Sequence, residues 1–370
     1  MRIGIDGREL LNRQTGVGRY LASLCSEWLK LKDNRGFEFI IYTPTTSAKL
    51  SVLGPPFKFA QQGLFRHQPV QGNSGTWWEQ ALLPDVANRD SLDLFFGPAY
   101  SVPLRLKVPS VVTMHDVSFA SHPEWFRWKE GTRRRWLAQQ TLSIANKIIA
   151  DSNFSKDEII RHFDVPASRI HVVWPGIKAR PRASNTTANN LVLYVGSLFT
   201  RRNLPTLIKV FNKVTSEIQD AKLVIVGENR TYPLQDLRAI IEQEGLREKV
   251  RLVDYVSDNE LSDFYQRASV FVFLSEYEGF GFTPLEALAA RVPIVVADTP
   301  VAREVYGNTA SFVNVTDISG TAKAIVSLVN DEELRTKKKI RAETHLTRFS
   351  WERSARETLK ILEAAAKMPQ

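Results

Sequence analysis

Twice along this chain, short apolar runs alternate with helical patterns, and a polar stretch separates the two series. In the first, residues 1–5, 37–42, 92–96, 108–114 and 145–150 read as strands or strand edges, with helices around 20–30 and 134–144. The second runs through 191–195, 222–226, 250–253, 270–274, 293–297 and 311–315, each followed by a turn residue. Repeated strand–helix alternation predicts parallel sheets covered by helices on both faces, an α/β fold. Residues 178–190 are polar, short-chained and without periodicity, which suits an interdomain linker. A chain of 370 residues exceeds one ordinary core. Two domains are therefore expected, 1–180 and 191–350. Open sheets of this kind bind ligands outside the carboxyl ends of their strands, so a cleft between two such domains is the expected site.

Other features narrow the class. The single cysteine, Cys25, excludes an internal disulfide and fits a reducing compartment. No run approaches the roughly 18 apolar residues of a membrane span. The chain opens on a strand-like Met1-Arg2-Ile3-Gly4-Ile5 without a signal-peptide pattern. A cytoplasmic location is the simple expectation.

The formal charge of +9 concentrates in two places. Segment 125–136 mixes Trp125, Trp128 and Trp136 with Arg127, Lys129, Arg133, Arg134 and Arg135, as an interfacial helix does. It suggests an anionic membrane surface as a partner, at the inner face of the plasma membrane; the alternative is that these indoles pack inside the first domain. Segment 335–341 lacks aromatics and suits a solvated helix face. There is no zinc-ligand spacing and no RNA-binding signature, so no nucleic-acid partner is expected.

The chemistry points to Glu278 and Glu286, which have seven residues between them. The apolar run 270–274 reads as a buried strand, and a glycine-bearing turn leads from it into a helix starting near Pro284. Thr283 suits its N-cap and Pro284 its first position. A helix start presents free N–H groups and a positive dipole end to an anion. The flanking carboxylates repel phosphate and suit neutral hydroxyls. A sugar nucleotide has that layout. A purely structural alternative also fits, with Thr283 and Glu286 as a capping box and Glu278 as a solvated loop acid.

This stretch resembles the Glu-x7-Glu signature of the retaining, nucleotide-sugar-dependent family-four glycosyltransferases, which have the two-domain GT-B fold. The resemblance extends over nearly the whole chain. It implies that Glu278 faces the donor hexose and Glu286 holds the ribose, with Gly279, Phe280, Gly281, Phe282 and Thr283 beside the sugar and phosphate. Near the N-terminus, Ile5-Asp6-Gly7-Arg8 closes a strand, and Gly16 and Gly18 in Gly-Val-Gly-Arg-Tyr open a helix, where glycine lets backbone approach a phosphate. This string is similar to the donor-facing loop of mannosyltransferase-like members. After strand 191–195, Arg202 matches the family's basic residue against the donor diphosphate, with Arg201 beside it. Ser197 stands where many relatives carry arginine. His115 ends strand 108–114 at a position that in the family looks toward the hexose, and Asp116 would orient the ring or the loop. His122, His162 and His171 have no comparable context and read as structural. The resemblance also places the helix 351–370 back on the first domain.

The absence of an Asp-x-Asp motif implies no metal and no cofactor, the nucleoside diphosphate sugar being a co-substrate. The implied reaction moves a hexose, with mannose from GDP-mannose favoured, to a hydroxyl of a glycan or lipid-linked sugar with retention of configuration. Such an enzyme would serve cell-surface polysaccharide synthesis. A nucleotide-sugar epimerase or phosphorylase on the same architecture is the first alternative. A NAD(P)-dependent oxidoreductase is the second, opposed by Leu21 in place of the third fingerprint glycine. A non-enzymatic ligand binder is the third.

Overall fold

The computed structural model of the protein describes residues 1–11, 16–31, 36–45, 63–178 and 190–368. The expected linker lies almost wholly outside them. The chain divides into two compact units. One comprises Met1–Ser121, Lys129–Gly176 and Phe349–Gln370; the other comprises His122–Trp128 and Ile177–Arg348.

In the first unit, β1 (Arg2–Asp6), α1 (Gly16–Lys30), β2 (Glu38–Pro44) and β3 (Phe65–Val70) are followed by α2 (Leu83–Ala87), β4 (Leu94–Gly97) and β5 (Ser110–Met114). Next come α3 (Ser118–Ser121), α4 (Trp128–Ile144), β6 (Lys147–Ala150), α5 (Asn153–Phe163) and β7 (Ile170–Val172). The seven strands form one parallel sheet in the order β3-β2-β1-β4-β5-β6-β7. The inner strands β4 and β5 are buried throughout, as continuous apolar runs between two helical layers must be. The two strands that hydrophobicity does not reveal are the edges. β3 carries Arg66, His67 and Gln68 in its middle, and β7 has only three residues.

In the second unit, β8 (Leu191–Val195), α6 (Leu204–Glu217), β9 (Lys222–Val226), α7 (Leu237–Gln243), β10 (Val250–Val253) and α8 (Asp258–Arg267) alternate regularly. They are followed by β11 (Ala268–Phe273), α9 (Phe282–Ala289), β12 (Ile294–Ala297), α10 (Pro300–Tyr306), β13 (Ser311–Val313), α11 (Ile318–Asn330) and α12 (Glu332–Leu346). Six parallel strands run in the order β10-β9-β8-β11-β12-β13. The Ser257 capping box on α8 is formed as its sequence predicts.

The last helix, α13 (Trp351–Ala366), returns to the first unit and packs on α1, β4, β5 and β6. Trp28 of α1 stacks on Phe39 with centroids 4.8 Å apart, and its indole N–H donates to Ala355 O at 3.0 Å. Segment 122–128 belongs with the second unit, whereas the sequence placed it in the first. There His122 stacks on Trp125 at 3.9 Å, and both rings meet Tyr277 edge-on at 5.3 and 6.1 Å. Both sheets reverse their strand order once, between β1 and β4 and between β8 and β11. Ligands of open α/β sheets bind at such switch points.

Candidate active site

In the second unit, the residues following β8 and β11 meet at that unit's switch point. Gly196 follows β8 with φ +141°, and a Cβ there would come within 2.6 Å of an Arg202 guanidinium nitrogen. Only glycine leaves room for this arginine. A 3-10 turn over Thr200–Arg202 ends at Asn203, whose left-handed backbone turns the chain into α6. The turn is fixed to the end of β11, because Glu276 N–H donates to Arg201 O and Asn203 Nδ2 donates to Leu274 O, both at 3.0 Å. Two arginines therefore arrive beside the loop that carries Glu278.

Arg202 Nε donates to Glu278 Oε1 at 2.8 Å, and its Nη1 donates to Ser197 O at 2.7 Å. Its guanidinium lies over the Phe273 and Phe199 rings at 5.0 and 5.3 Å. Ser275 Oγ also donates to Glu278 Oε1, at 2.9 Å. Burial pushes the Glu278 carboxyl upward, but the Arg202 and Arg201 charges outweigh it and hold the group below its ordinary value. Burial works against the Arg202 cation in the same way, and the Glu278 charge more than offsets it. This is a partly buried ionic pair with one carboxylate oxygen fixed by two donors. Arg201 lies over Phe199 at 4.5 Å, and its Nε is buried without a hydrogen-bond acceptor among the described residues. A small cavity beside Glu278 is lined by Ser275, Thr299 and Tyr306 among apolar side chains.

The helix after Glu278 starts earlier than its sequence suggests. α9 begins at Phe282, with Gly281 as its cap residue at φ +88° and no side-chain cap bond. Thr283 is thus the second helical residue rather than the N-cap, and Pro284 is the third. Proline is tolerated there because the first turn's N–H groups have no intrahelical acceptor. The left-handed Gly281 sets this start, and its carbonyl accepts from Tyr306 Oη at 2.9 Å. Gly279 and Phe280 are buried in the turn, while Phe282 and Thr283 are half-buried. Glu286 is 9% exposed on α9, with Tyr265 Oη donating to its Oε2 at 3.5 Å.

In the first unit, His115 follows β5 and is buried. Its Nδ1 lies 2.7 Å from Asp151 Oδ2 and its Nε2 lies 2.8 Å from Pro98 O. Both partners can accept, an arrangement that favours the doubly protonated ring. Burial disfavours that charge, but Asp151, the two hydrogen bonds and Asp116 overcome it and raise the pKa. Asp116 does not hold the ring. Its carboxylate accepts from Ser118 N and Oγ and fixes the loop into α3. Asp151 was missed because it follows β6, 36 residues on. Strand register reveals it: Met114 pairs with Ala150, so the next residues on the two strands are His115 and Asp151.

Gly16 is the first residue of α1, and a Cβ added there would meet nothing within 4 Å. Gly18 is buried in the same turn.

A further cluster at the switch point of the first unit joins Asp6 and Arg8 of the N-terminal string to Glu79, which was not singled out in the sequence. Arg8 Nη2 lies 2.6 Å from Asp6 and 3.1 Å from Glu79, and Ser101 Oγ donates to Glu79. Burial and the nearby Asp6 raise the Glu79 carboxyl, with Arg8 opposing them. Among the described residues, no three His, Cys, Asp or Glu side chains are grouped so as to hold a metal ion.

Two family models match the chain. The glycosyltransferase family 4 model covers residues 14–180, and that of the glycosyl transferases group 1 covers residues 178–345. The O-antigen chain mannosyltransferase B of Escherichia coli is 28% identical over 287 residues, covering 74% of this chain and 75% of the relative. The O-antigen chain mannosyltransferase RfbU of Salmonella typhimurium is 30% identical over 217 residues, 59% of this chain and 60% of the relative. Among solved structures, Anabaena HepE in complex with UDP and glucose superposes with TM-score 0.76 at 16% identity, covering 98% of this chain and all of that one. WaaG, a glycosyltransferase of lipopolysaccharide biosynthesis, does so with TM-score 0.71 at 16% identity, over 98% and 99% of the two chains. With both halves matched and both sheets in place, the chain belongs to the family-four glycosyltransferases of GT-B fold and resembles their mannosyltransferase members.

Proposed function

We propose that this glycosyltransferase takes mannose from a nucleoside diphosphate donor, GDP-mannose, and adds it to a hydroxyl of a glycan or lipid-linked sugar with retention of configuration. The two named mannosyltransferases above support the sugar and the polysaccharide context. HepE, solved with UDP and with UDP-glucose, supports a nucleotide-sugar donor without deciding the base. The observation that carries the reading is the Arg201–Arg202–Glu278 arrangement at the β8–β11 switch point.

In this reading Glu278 has a fixed orientation before substrate arrives. Arg202 and Ser275 hold its Oε1, which leaves Oε2 to accept from a hexose hydroxyl. Arg201 and the α9 N-terminus offset charge growing on the departing diphosphate, and preorganised donors of this kind carry much of the rate enhancement in many enzymes. Gly16 and Gly18 admit the phosphates to backbone. Glu286, held from the Tyr265 side, accepts from the ribose. His115, whose pKa Asp151 raises, orients the hexose through the Pro98 loop it anchors. Front-face attack, with the leaving phosphate taking the acceptor proton, accounts for retention without a nucleophilic carboxylate or a metal. An enzyme at a lipid-linked acceptor would work at the cytoplasmic face of a membrane.

A thermal-shift panel of GDP-, UDP- and ADP-sugars tests the donor, since a ligand bound only by the folded state raises the melting temperature. GDP-mannose is expected to give the largest shift, and a larger one from another sugar nucleotide would replace it. Arg201→Met should then lower turnover by roughly 100-fold, the scale of losing one transition-state charge stabiliser. The fold should persist, because the Arg201 Nε makes no hydrogen bond and its 3.9 Å ion pair with Glu278 is backed by the shorter one from Arg202. Wild-type turnover in a folded Arg201→Met enzyme would remove this residue from the site.

A further inference from the structure

The first sheet ends at β7, whose three residues pair with β6 on one side only. Val173 N–H donates to Ala150 O at 3.0 Å. Alternate residues of a parallel strand bond to the same neighbour, so Val172 turns its N–H and C=O away from β6. An open strand edge of this kind presents unpaired backbone groups. Here it forms one wall of a groove of about 460 Å³ between α5 and α13, a volume typical of small-molecule sites.

Positive charge gathers on this groove. Lys156 of α5 and Lys360 of α13 line it together with His171. Behind them, Lys147 of β6 donates to His171 Nε2 at 3.0 Å. A lysine ammonium can only donate, an arrangement that favours the ring proton on Nδ1. Burial and the charges of Lys147 and Lys156 lower the His171 pKa, so the neutral ring is favoured. Among the described residues, neither Lys156 nor Lys360 has a carboxylate within ion-pairing distance. Glu357 is the one acid among the lining side chains, and it pairs with neither lysine.

Like charges gathered on one concave surface repel, and an entering anion relieves that repulsion. The same lysines could serve only to keep another strand off this edge, as basic side chains do on many sheets. Protection alone, however, needs no concavity and no neutral imidazole among the charges. We propose that the groove binds a small phosphate-bearing anion, gripped by Lys156 and Lys360, with His171 and the Val172 N–H as further donors. Lys147 reinforces the field from behind. The groove is roomier than a single phosphate group, which favours a phosphomonoester over the free ion. Every residue named belongs to the first unit, whereas Arg201 and Glu278 belong to the second, so the proposal does not rest on the transferase reading.

Isothermal titration of the full chain with glycerol phosphate and with inorganic phosphate tests it. Glycerol phosphate is expected to bind, and added chloride to weaken the binding. Lys156→Met and Lys360→Met should each weaken it roughly ten-fold, the scale of one charge-assisted hydrogen bond. Glu357→Gln should strengthen it, because a carboxylate at the groove opposes an anion. Methionine suits a helix and neither lysine is a core residue, so the ligand-free variants should melt no lower than the wild type. Arg201→Met should bind glycerol phosphate as the wild type does. Binding lost in Arg201→Met but kept in the lysine variants would overturn the proposal and move the anion to the second unit. No binding of either phosphate would also overturn it. If Lys156→Met/Lys360→Met then self-associates, the lysines only guard the strand edge. Inorganic phosphate binding as tightly as glycerol phosphate would keep the site and assign it to the free ion.

Discussion

Gly16 and Gly281 look alike in sequence, each at the start of a helix, yet they are glycine for different reasons. Gly281 has φ +88° and a Cβ would fall 2.0 Å from Tyr306 Oη, so Gly281→Ala should destabilise the second unit. Gly16 has open space, and alanine in a helix is favoured over glycine by about 1 kcal/mol. Gly16→Ala should therefore leave the unfolding midpoint unchanged or raise it, while donor KM rises if a phosphate approaches there. Unchanged KM would show that the glycine serves no ligand. His115 gives a pH signature of known sign. Its folded pKa lies above the ordinary 6.5, so its contribution to stability is complete below 6.5 and is lost as pH rises through the folded value. Urea unfolding of the wild type and His115→Gln should show the gap narrowing toward alkaline pH; a constant gap would mean a neutral ring. Glu278 works oppositely, its contribution being present above 4.5 and lost as pH falls. His115, Glu278 and Arg202 could be picked out from residue type and context. Asp151 could not, because its link to His115 is a register between strands rather than a spacing along the chain.

At the scale of elements, the strands of the second sheet and the inner strands of the first were legible, and the edges of the first were not. β8 has the limits its apolar run suggests, because a strand buried along its whole length must be apolar at every position; β9 and β10 match theirs too, although Lys222 and Arg251 are exposed. β3 escapes that rule because its exposed side tolerates Arg66 and Gln68. The start of α9 was misplaced for a related reason: Thr283-Pro284 is a strong local signal, but the positive φ of Gly281 decides where the helix begins. The loop after β1 carries a charge arrangement that only pairing with β4 and the turn at Trp78 makes visible. Arg8→Met would leave Asp6 and Glu79 buried without their cation, and should cost roughly 3 kcal/mol or more. Adding Glu79→Gln should recover part of that loss in urea unfolding. Additive effects of the two substitutions would mean that the three groups do not act as one cluster.

For the molecule as a whole, alternation of strands and helices foretold two parallel sheets, and the returning helix came from resemblance alone. Its periodicity fits any partner. The contacts supply the reason it belongs where it does: Trp28 bonds to Ala355, the Trp174 ring stacks on Phe349 at 5.4 Å, and Gly176 lies so close to Trp351 that a Cβ would meet its nitrogen at 2.2 Å. A chain ending at Arg348 should thus lose hydrogen-exchange protection across β4, β5 and β6, while β8 to β13 keep theirs. Retained protection in the first set would show that α13 is dispensable.

The first unit is interrupted by the second and is finished only by α13. During synthesis, then, the earlier-made sheet must wait with one helical cover missing while more than half of the remaining chain emerges from the ribosome. Apart from segment 122–128, the later-made unit lies in one continuous stretch from β8 to α12. It is free to fold first, which reverses the usual N-to-C order of domain maturation.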